Sequence, residues 1–479
     1  MRKETDFLGE ATLPDDSLYG INAWRAAQNF PDRTPFHVEW YRALGLVKLA
    51  CYQTIRAFGE SASSASLEDR LPAGMEDLNV FTFLEEAAEE ISAGKHFDHF
   101  IVPAVQGGAG TSINMNINEI ASNVALVKQG YKPGDYTHTD PFMHANLFQS
   151  TNDVVPSALK IAVMQLLSGL EDAINALRVS VEKLETNHRH ELRMAYTQMQ
   201  QALPSSYGHL FGSYNEALSR DWWRVSKSFE RIKSVSLGGG ATGSGMAIPR
   251  FFIMEVVSRL QNLTSLPVAR SENLPDTTQN LDTFVEVHGI LKAHAVNLEK
   301  IAGDLRLLSA DTMGAGRIQI PRRQTGSSIM PGKVNPVIPE YIISTAHKVY
   351  SNDTLITSLC GQTSLDLNAY LPMIGHAIID SLKLLVNAVT SMQKNLIEGL
   401  QTEKDDSLQQ IMYSPSVTTA LIPYIGYRKA GDMARHMKEH QCSIKEANHA
   451  LQVLSPDKLE QLLKPEKLLQ LGYSLRDLN

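Results

Sequence analysis

One stretch limits the possible folds more than any other. Across residues 154–192 there is a single proline, Pro156, placed near the start, where a helix tolerates it. Beyond it, Leu159, Ala162, Val163, Leu166, Leu170, Ala173, Leu177, Val181 and Leu184 recur at spacings of three and four. That stripe is the signature of one helix roughly ten turns long, with Asn152 and Asp153 as its expected N-terminal caps. Similar runs cover residues 281–308, 339–359 and 372–400, the last through Ile374, Ala377, Ile378, Leu382, Leu385, Ala388 and Met392. Helices of this length cannot bury their apolar faces in a short hairpin. An all-α bundle is predicted, extended by partner subunits. The tail from about Thr402 is more charged and its helical segments are short, which predicts a small C-terminal domain.

Composition narrows the function classes. Of 479 residues, 43% are hydrophobic and 20% charged, with a net charge of −8 and no long Lys/Arg block, so a nucleic-acid partner is not expected. Cys51, Cys360 and Cys442 are widely spaced and make no zinc pattern; they read as free thiols in a reducing compartment. The N-terminus is charged where a signal peptide needs an apolar run, and no 18 consecutive residues are apolar. A cytoplasmic protein without a membrane partner is the expectation.

Between the long runs lie segments rich in Gly, Ser, Thr and Asn: 106–112, 149–153, 196–200, 237–245 and 325–336. Polar loops on a rigid helical scaffold are where chemistry is usually carried. The run Gly326-Ser-Ser-Ile-Met-Pro-Gly-Lys-Val-Asn335 sets two hydroxyls beside a glycine, then a Pro-Gly turn, a cation and an amide. Those groups suit a carboxylate-bearing carbanion, whose developing charge the cation and backbone N–H groups would stabilise. By composition alone, a Gly/Ser linker entering a helix explains the run equally well.

The run through Pro336 nevertheless resembles the fumarase/aspartase superfamily signature, Gly-Ser-Ser-x-Met-Pro-x-Lys-x-Asn, with every specified position filled. Leu18-Tyr-Gly-Ile-Asn-Ala-Trp-Arg-Ala-Ala-Gln-Asn29 is similar to the N-terminal segment of class II fumarases and aspartases. Gln106-Gly-Gly-Ala-Gly-Thr-Ser-Ile-Asn-Met-Asn-Ile-Asn-Glu119 and the segment His144-Ala-Asn146 with Gln149-Ser-Thr-Asn-Asp153 resemble two further active-site segments. The likeness spans residues 5–430. It implies three largely helical domains, here 1–145, 146–400 and 401–479. It also implies a homotetramer whose helices pool into one core and whose active sites each draw on three chains.

The reaction implied is anti-elimination from a succinate-type substrate to give fumarate, through an aci-carboxylate carbanion. By motif position Ser327 is the base, acting as its alkoxide, which requires surroundings that favour the anion. Ser328, Lys333 and Asn335 are expected to hold substrate carboxylate, with Gly326 and Gly332 as loop hinges. Thr111, Asn114, Ser150, Thr151 and Asn152 match substrate-binding positions, although residues 150–153 would also make a good helix start. Thr197 and Gln198 stand where fumarases read Thr-His. No metal or cofactor is implied.

The leaving group turns on Gln198. Departing hydroxide benefits from an acid that the fumarase histidine helps to supply, whereas ammonia leaves from an ammonium and needs no donor. Some aspartases also have Thr-Gln here, and Val337-Ile-Pro-Glu340 is like their continuation. Both favour an ammonia-lyase acting on aspartate; fumarate hydratase, an adduct lyase and a non-catalytic structural relative are the alternatives. Pro141-Phe-Met-His144 replaces the usual Pro-Asn-Asp-His, Tyr196 stands at a usual arginine, and Arg317, Arg322 and Arg323 precede the signature. Gly238-Gly-Gly-Ala-Thr-Gly243 satisfies a dinucleotide fingerprint literally but lacks its strand–helix–strand frame, so tight packing is expected. The loose pairs His188/His190 and His138/His144 show no metal-ligand spacing.

Overall fold

The computed structural model describes residues 1–313 and 318–478; Arg317 lies outside them. In chain order the elements are β1 (Arg2–Asp6), β2 (Gly9–Leu13), α1 (Ile21–Asn29), α2 (Val38–Ser64), α3 (Asn79–Ser92), α4 (Thr111–Lys128), α5 (Thr151–Asn187), β3 (Leu192–Thr197), β4 (Gln200–Ser206) and α6 (Tyr207–Ile232). There follow β5 (Ser234–Val235), α7 (Arg250–Thr264), β6 (Ala269–Arg270), α8 (Leu274–Gln279), α9 (Asp282–Leu308), β7 (Ile318–Gln319), α10 (Val337–Cys360), α11 (Leu371–Met392) and β8 (Gln401–Thr402). The C-terminal part holds α12 (Lys404–Tyr413), α13 (Ile422–His440) and α14 (Ile444–Leu451) before shorter turns. The fold is all-α, and the strands described form only two-stranded pairs.

The four helices expected from their stripes are all present, as α5, α9, α10 and α11. Their ends differ from the reading for local reasons. α5 begins at Thr151, so Asn152 and Asp153 are not caps outside it but lie in its first turn. Ser150 Oγ accepts from Asn152 N at 3.2 Å, while Asp153 reaches back to Ser150 N at 2.9 Å. This reciprocal arrangement is a variant of the capping box. At the other end the helix stops at Asn187, and Leu192 already belongs to a strand. After Met392, α11 loosens into one π turn, Gln393–Ile397.

The described chain divides into two compact units. The first comprises residues 1–171, 224–292 and 348–384, the second residues 172–223, 293–347 and 385–479. In the first, α2 packs on α3 and α7, and α4 packs on α1 and α3. Trp40, Tyr41, Leu44, Phe81, Leu84, Ile113, Ile117 and Leu159 are buried there. α2 and α3 approach so closely at Gly45 that a Cβ would sit 2.4 Å from Ser92 N. In the second unit, Leu192 and Met194 of β3 join Ile411, Val417, Leu421, Met433, Met437 and Ile444 in one cluster. A buried Asp221 there takes both His294 Nδ1, at 3.0 Å, and Asn297 Nδ2, at 2.8 Å. α5 and the helix running from Leu371 to Ile397 are long and apolar enough to cross a membrane, but their most apolar windows are 78% and 56% buried in the protein. Their apolar faces are therefore largely used as core.

Candidate active site

In the second unit the chain from β7 to α10 carries the signature loop. β7 pairs antiparallel with β8, and Arg323 anchors the strand's continuation by donating to Lys394 O at 2.7 Å and Asn395 O at 3.0 Å. Gly326 N donates to Lys333 O at 2.8 Å, and Asn335 Nδ2 to Gly326 O at 2.8 Å, so the loop closes on itself. A Cβ at Gly326 would lie 2.8 Å from both Asn335 Cγ and N; only glycine fits that crossing. Gly332 has φ +82 and open space around it, a left-handed turn residue. Inside the clasp Ser327 Oγ accepts from Met330 N at 3.0 Å and Ile329 N at 3.2 Å. Two backbone N–H groups on one hydroxyl oxygen favour negative charge there.

A pocket of about 340 Å³ opens beside this serine, lined by Arg322, Arg323, Met330, Pro331 and Lys333. Among the described residues Arg322 and Lys333 meet no carboxylate within ion-pair distance, so their charge is available to an anion. Ser328 and Ile329 are exposed.

Thr197 and Gln198 belong to the same unit, at the tip of the β3–β4 hairpin. The segment 196–200, expected as a loop, is a tight turn: Thr197 pairs with Gln200, and Gln198 (φ 51) and Met199 (φ 63) both sit in left-handed conformation. Such a two-residue turn normally takes Asn-Gly, so the tip is strained. Tyr196 is tied down by Gln410 Nε2, which donates to its hydroxyl at 2.7 Å.

Thr111, Asn114, Ser150, Thr151 and Asn152 lie in the first unit. Thr111 is exposed at the start of α4, behind Gly110 at φ 94. Asn114 is buried, and its Nδ2 donates to Asn146 Oδ1 at 2.9 Å. Ser150, Thr151 and Asn152 are half-buried in the first turn of α5 or just before it.

Beneath them sit residues outside the set expected to bind substrate. Asp153 is wholly buried and also accepts from Gly240 N at 2.9 Å, while Asn152 Nδ2 donates to Ala241 O at 2.7 Å. The glycine-rich loop is thus stitched to the start of α5. Its glycines answer to packing as well: a Cβ at Gly243 would strike Pro275 N at 2.2 Å. Burial pushes the Asp153 carboxyl up to about 7, against the pull of its N–H donors and of Lys48. Lys48, also wholly buried and pushed down to about 8 by burial, donates to Gln149 Oε1 at 2.8 Å. A lysine inside the apolar run Leu44–Leu49 was the readable sign of this buried cation.

Three of the four paired histidines have local partners. His188 Nδ1 meets Glu191 at 2.5 Å, His138 stacks on Tyr131, and His144 Nδ1 accepts from Asp140 N at 2.9 Å. Phe142 and Met143, the altered pair, are 57% and 49% exposed.

Comparison with known proteins agrees with the signature. A family model described as lyase matches residues 51–351, and one described as fumarase C C-terminus matches residues 417–470. The aspartate ammonia-lyase of Bacillus subtilis (strain 168) is 35% identical over 480 residues, covering 100% of this chain and 98% of that protein. That of Escherichia coli (strain K12) is 33% identical over 481 residues, covering 99% and 98%. Among solved structures, the cobalt-bound fumarate lyase:delta crystallin from Brucella melitensis has a TM-score of 0.89 at 31% identity, covering 97% of this chain and 98% of that one. The class II fumarase of Schistosoma mansoni shares the fold, with a TM-score of 0.87 at 23% identity over 97% and 98% of the two chains. Full-length likeness and an intact signature loop together place the chain in the lyase family that includes these aspartate ammonia-lyases, as an enzyme of the carbon–nitrogen lyase class.

Proposed function

We propose that the enzyme eliminates ammonia from L-aspartate to give fumarate, reversibly, with Ser327 as the base. The observation that carries the proposal is the pair of backbone N–H groups at Ser327 Oγ, with Lys333 in the same pocket. An alkoxide so held can take a proton from C3; the electron pair then spreads into the adjacent carboxylate. That aci-carboxylate needs cations and N–H donors around it, which Lys333, Ser328 and the second N–H of Asn335 supply. The pair returns to form the C2–C3 double bond as the C2–N bond breaks, and nitrogen departs with its electrons as ammonia. Thr111, Asn114, Ser150, Thr151 and Asn152 complete the grip on the substrate.

Gln198 supports ammonia over water as leaving group, since a glutamine amide is no acid and ammonia needs none. The names of the relatives support the same choice. The proposal extends to a homotetramer of three-domain chains, with each site assembled from three of them, working in the cytoplasm. No cofactor takes part in the steps above.

The test is the appearance of fumarate by its short-wavelength ultraviolet absorbance, with L-aspartate, L-malate and argininosuccinate offered in turn. Fumarate should form from aspartate alone. Activity confined to malate would remove ammonia from the reading and restore the hydratase.

A further inference from the structure

Asn146 determines the orientation of two other amides. Its Nδ2 faces Gln149 O at 3.1 Å, and a backbone carbonyl can only accept, so Asn146 Oδ1 must be the atom turned toward α4. That oxygen meets Asn114 at 2.9 Å and Asn118 at 3.1 Å. Both must therefore present Nδ2 to it, which leaves both Oδ1 atoms as acceptors. Neither of these oxygens has a hydrogen-bond partner among the described residues, and one further turn along, Ser122 Oγ has none either. The three residues are 1%, 0% and 0% exposed.

Positions 114, 118 and 122 share one face of α4, each about 6 Å further along the axis. Two buried amide oxygens and a buried hydroxyl, all unpaired on one helix face, are costly, each worth on the order of 1–3 kcal/mol if left unmatched. A small molecule with several N–H groups can donate to such acceptors at about 2.9 Å each. Two of the three groups are amide oxygens and none is charged, so burial favours a neutral donor over a cation, and an anion is repelled. Asn114 stands in the candidate substrate segment; Asn118 and Ser122 continue from it into the unit.

We propose that Asn118 and Ser122, together with Asn114, form an acceptor row that receives ammonia on its way to and from the reacting carbon. This rests on the ammonia-lyase reading above and adds to it a site for the departing group. In the reverse reaction the row holds ammonia before it attacks fumarate, so it bears on the affinity for ammonia and not on that for fumarate.

The experiment is the reverse reaction in the full-length enzyme, with KM for ammonium and for fumarate measured separately. Asn118→Leu and Ser122→Ala should each raise KM for ammonium about fivefold to tenfold, the equivalent of one hydrogen bond. KM for fumarate should stay within about twofold, and Ser122→Thr, which keeps the hydroxyl, should behave as the unaltered enzyme. Ser122→Ala removes a single atom, so it carries the test should Asn118→Leu fail to fold. An unchanged ammonium KM in natively melting Ser122→Ala would assign the row to ordered water and overturn the proposal, as would a parallel rise in both constants. If the unaltered enzyme adds no ammonium to fumarate at all, the ammonia-lyase reading falls and takes the row with it. Normal addition with indifferent variants removes the row alone.

Discussion

At the scale of single residues, the candidate base Ser327 was legible and the hydrogen bonds to it were not. The order Gly-Ser-Ser-x-Met-Pro-x-Lys-x-Asn can be read from the chain. The donation from Ile329 N and Met330 N depends on backbone angles that no residue type dictates. Removing the oxygen removes the proposed base together with two exposed loop hydrogen bonds, so Ser327→Ala should lower kcat by about 10²–10⁴ with little change in melting temperature, read from fumarate production. Near-full activity would show that another group takes the proton. Gly326 gives a different kind of test. It was expected as a hinge, and its crowding against Asn335 adds a packing demand. Gly326→Ala must push Asn335 away by several tenths of an ångström, and kcat/KM should fall about tenfold to a hundredfold. Steady-state kinetics with aspartate would show this; an indifferent variant would mean that the clasp between Gly326 and Asn335 has no part in the reaction. The buried contacts of Lys48, Asn146 and Asp153 escaped the reading because they depend on burial and on partners distant along the chain.

At the scale of elements, apolar periodicity was enough for the long helices, because a stripe at threes and fours has few other uses. It failed at their ends, where side-chain caps decide, and it passed over β3–β4. There Leu192, Met194 and Tyr196 alternate as a strand should, but Gln-Met gives no turn signal. The strain at that tip yields a paired prediction. Gln198→Gly frees a left-handed position and should stabilise the hairpin by up to about 1 kcal/mol, while lowering activity if Gln198 faces the substrate. Melting and kinetics moving in opposite directions is the expected outcome; kinetics unmoved would take Gln198 out of the site. A second prediction concerns α1 and α4. Glu119 of α4 accepts from Gly20, Asn22 and Ala23 N at the start of α1, at 2.8, 2.8 and 3.2 Å. Burial outweighs these donors and pushes its carboxyl from 4.5 up to about 7. The folded state therefore holds a proton that the unfolded chain has released between about pH 4.5 and 7. That contribution to stability is fully present below about pH 4.5 and is lost as pH rises through about 7, on the order of 3 kcal/mol. Asp153 acts in the same direction. Glu119→Gln should flatten the decline of melting temperature between pH 5 and 8, leaving Asp153's share. An unaltered slope would mean that Glu119 is ionised when folded.

For the whole molecule, the candidate site segments were readable in the chain, but not how one site could draw on all of them. Thr111, Asn114 and residues 150–152 fall in one compact unit; Gln198, Ser327 and Lys333 fall in the other. Family resemblance implies that subunits share these segments among sites, and the surface agrees with a need for partners. Trp222 and Trp223 of α6 and Val296 of α9 are 38%, 59% and 51% exposed on helices whose other faces are core. Large apolar groups left in water on long helices are what subunit packing covers. Four chains of 53.0 kDa should run as a particle of about 212 kDa on sizing. Mass alone does not show that sites are shared, but mixing does. Ser327→Ala and Asn152→Ala chains should each be nearly inactive alone. Unfolded and refolded together, they form mixed tetramers, in which some sites receive an intact Ser327 from one chain and an intact Asn152 from another. Activity should then return to a measurable fraction of normal, rising with the proportion of mixed particles. If each chain carried a complete site of its own, every site in the mixture would keep one defect, and no proportion of the two variants would restore the rate.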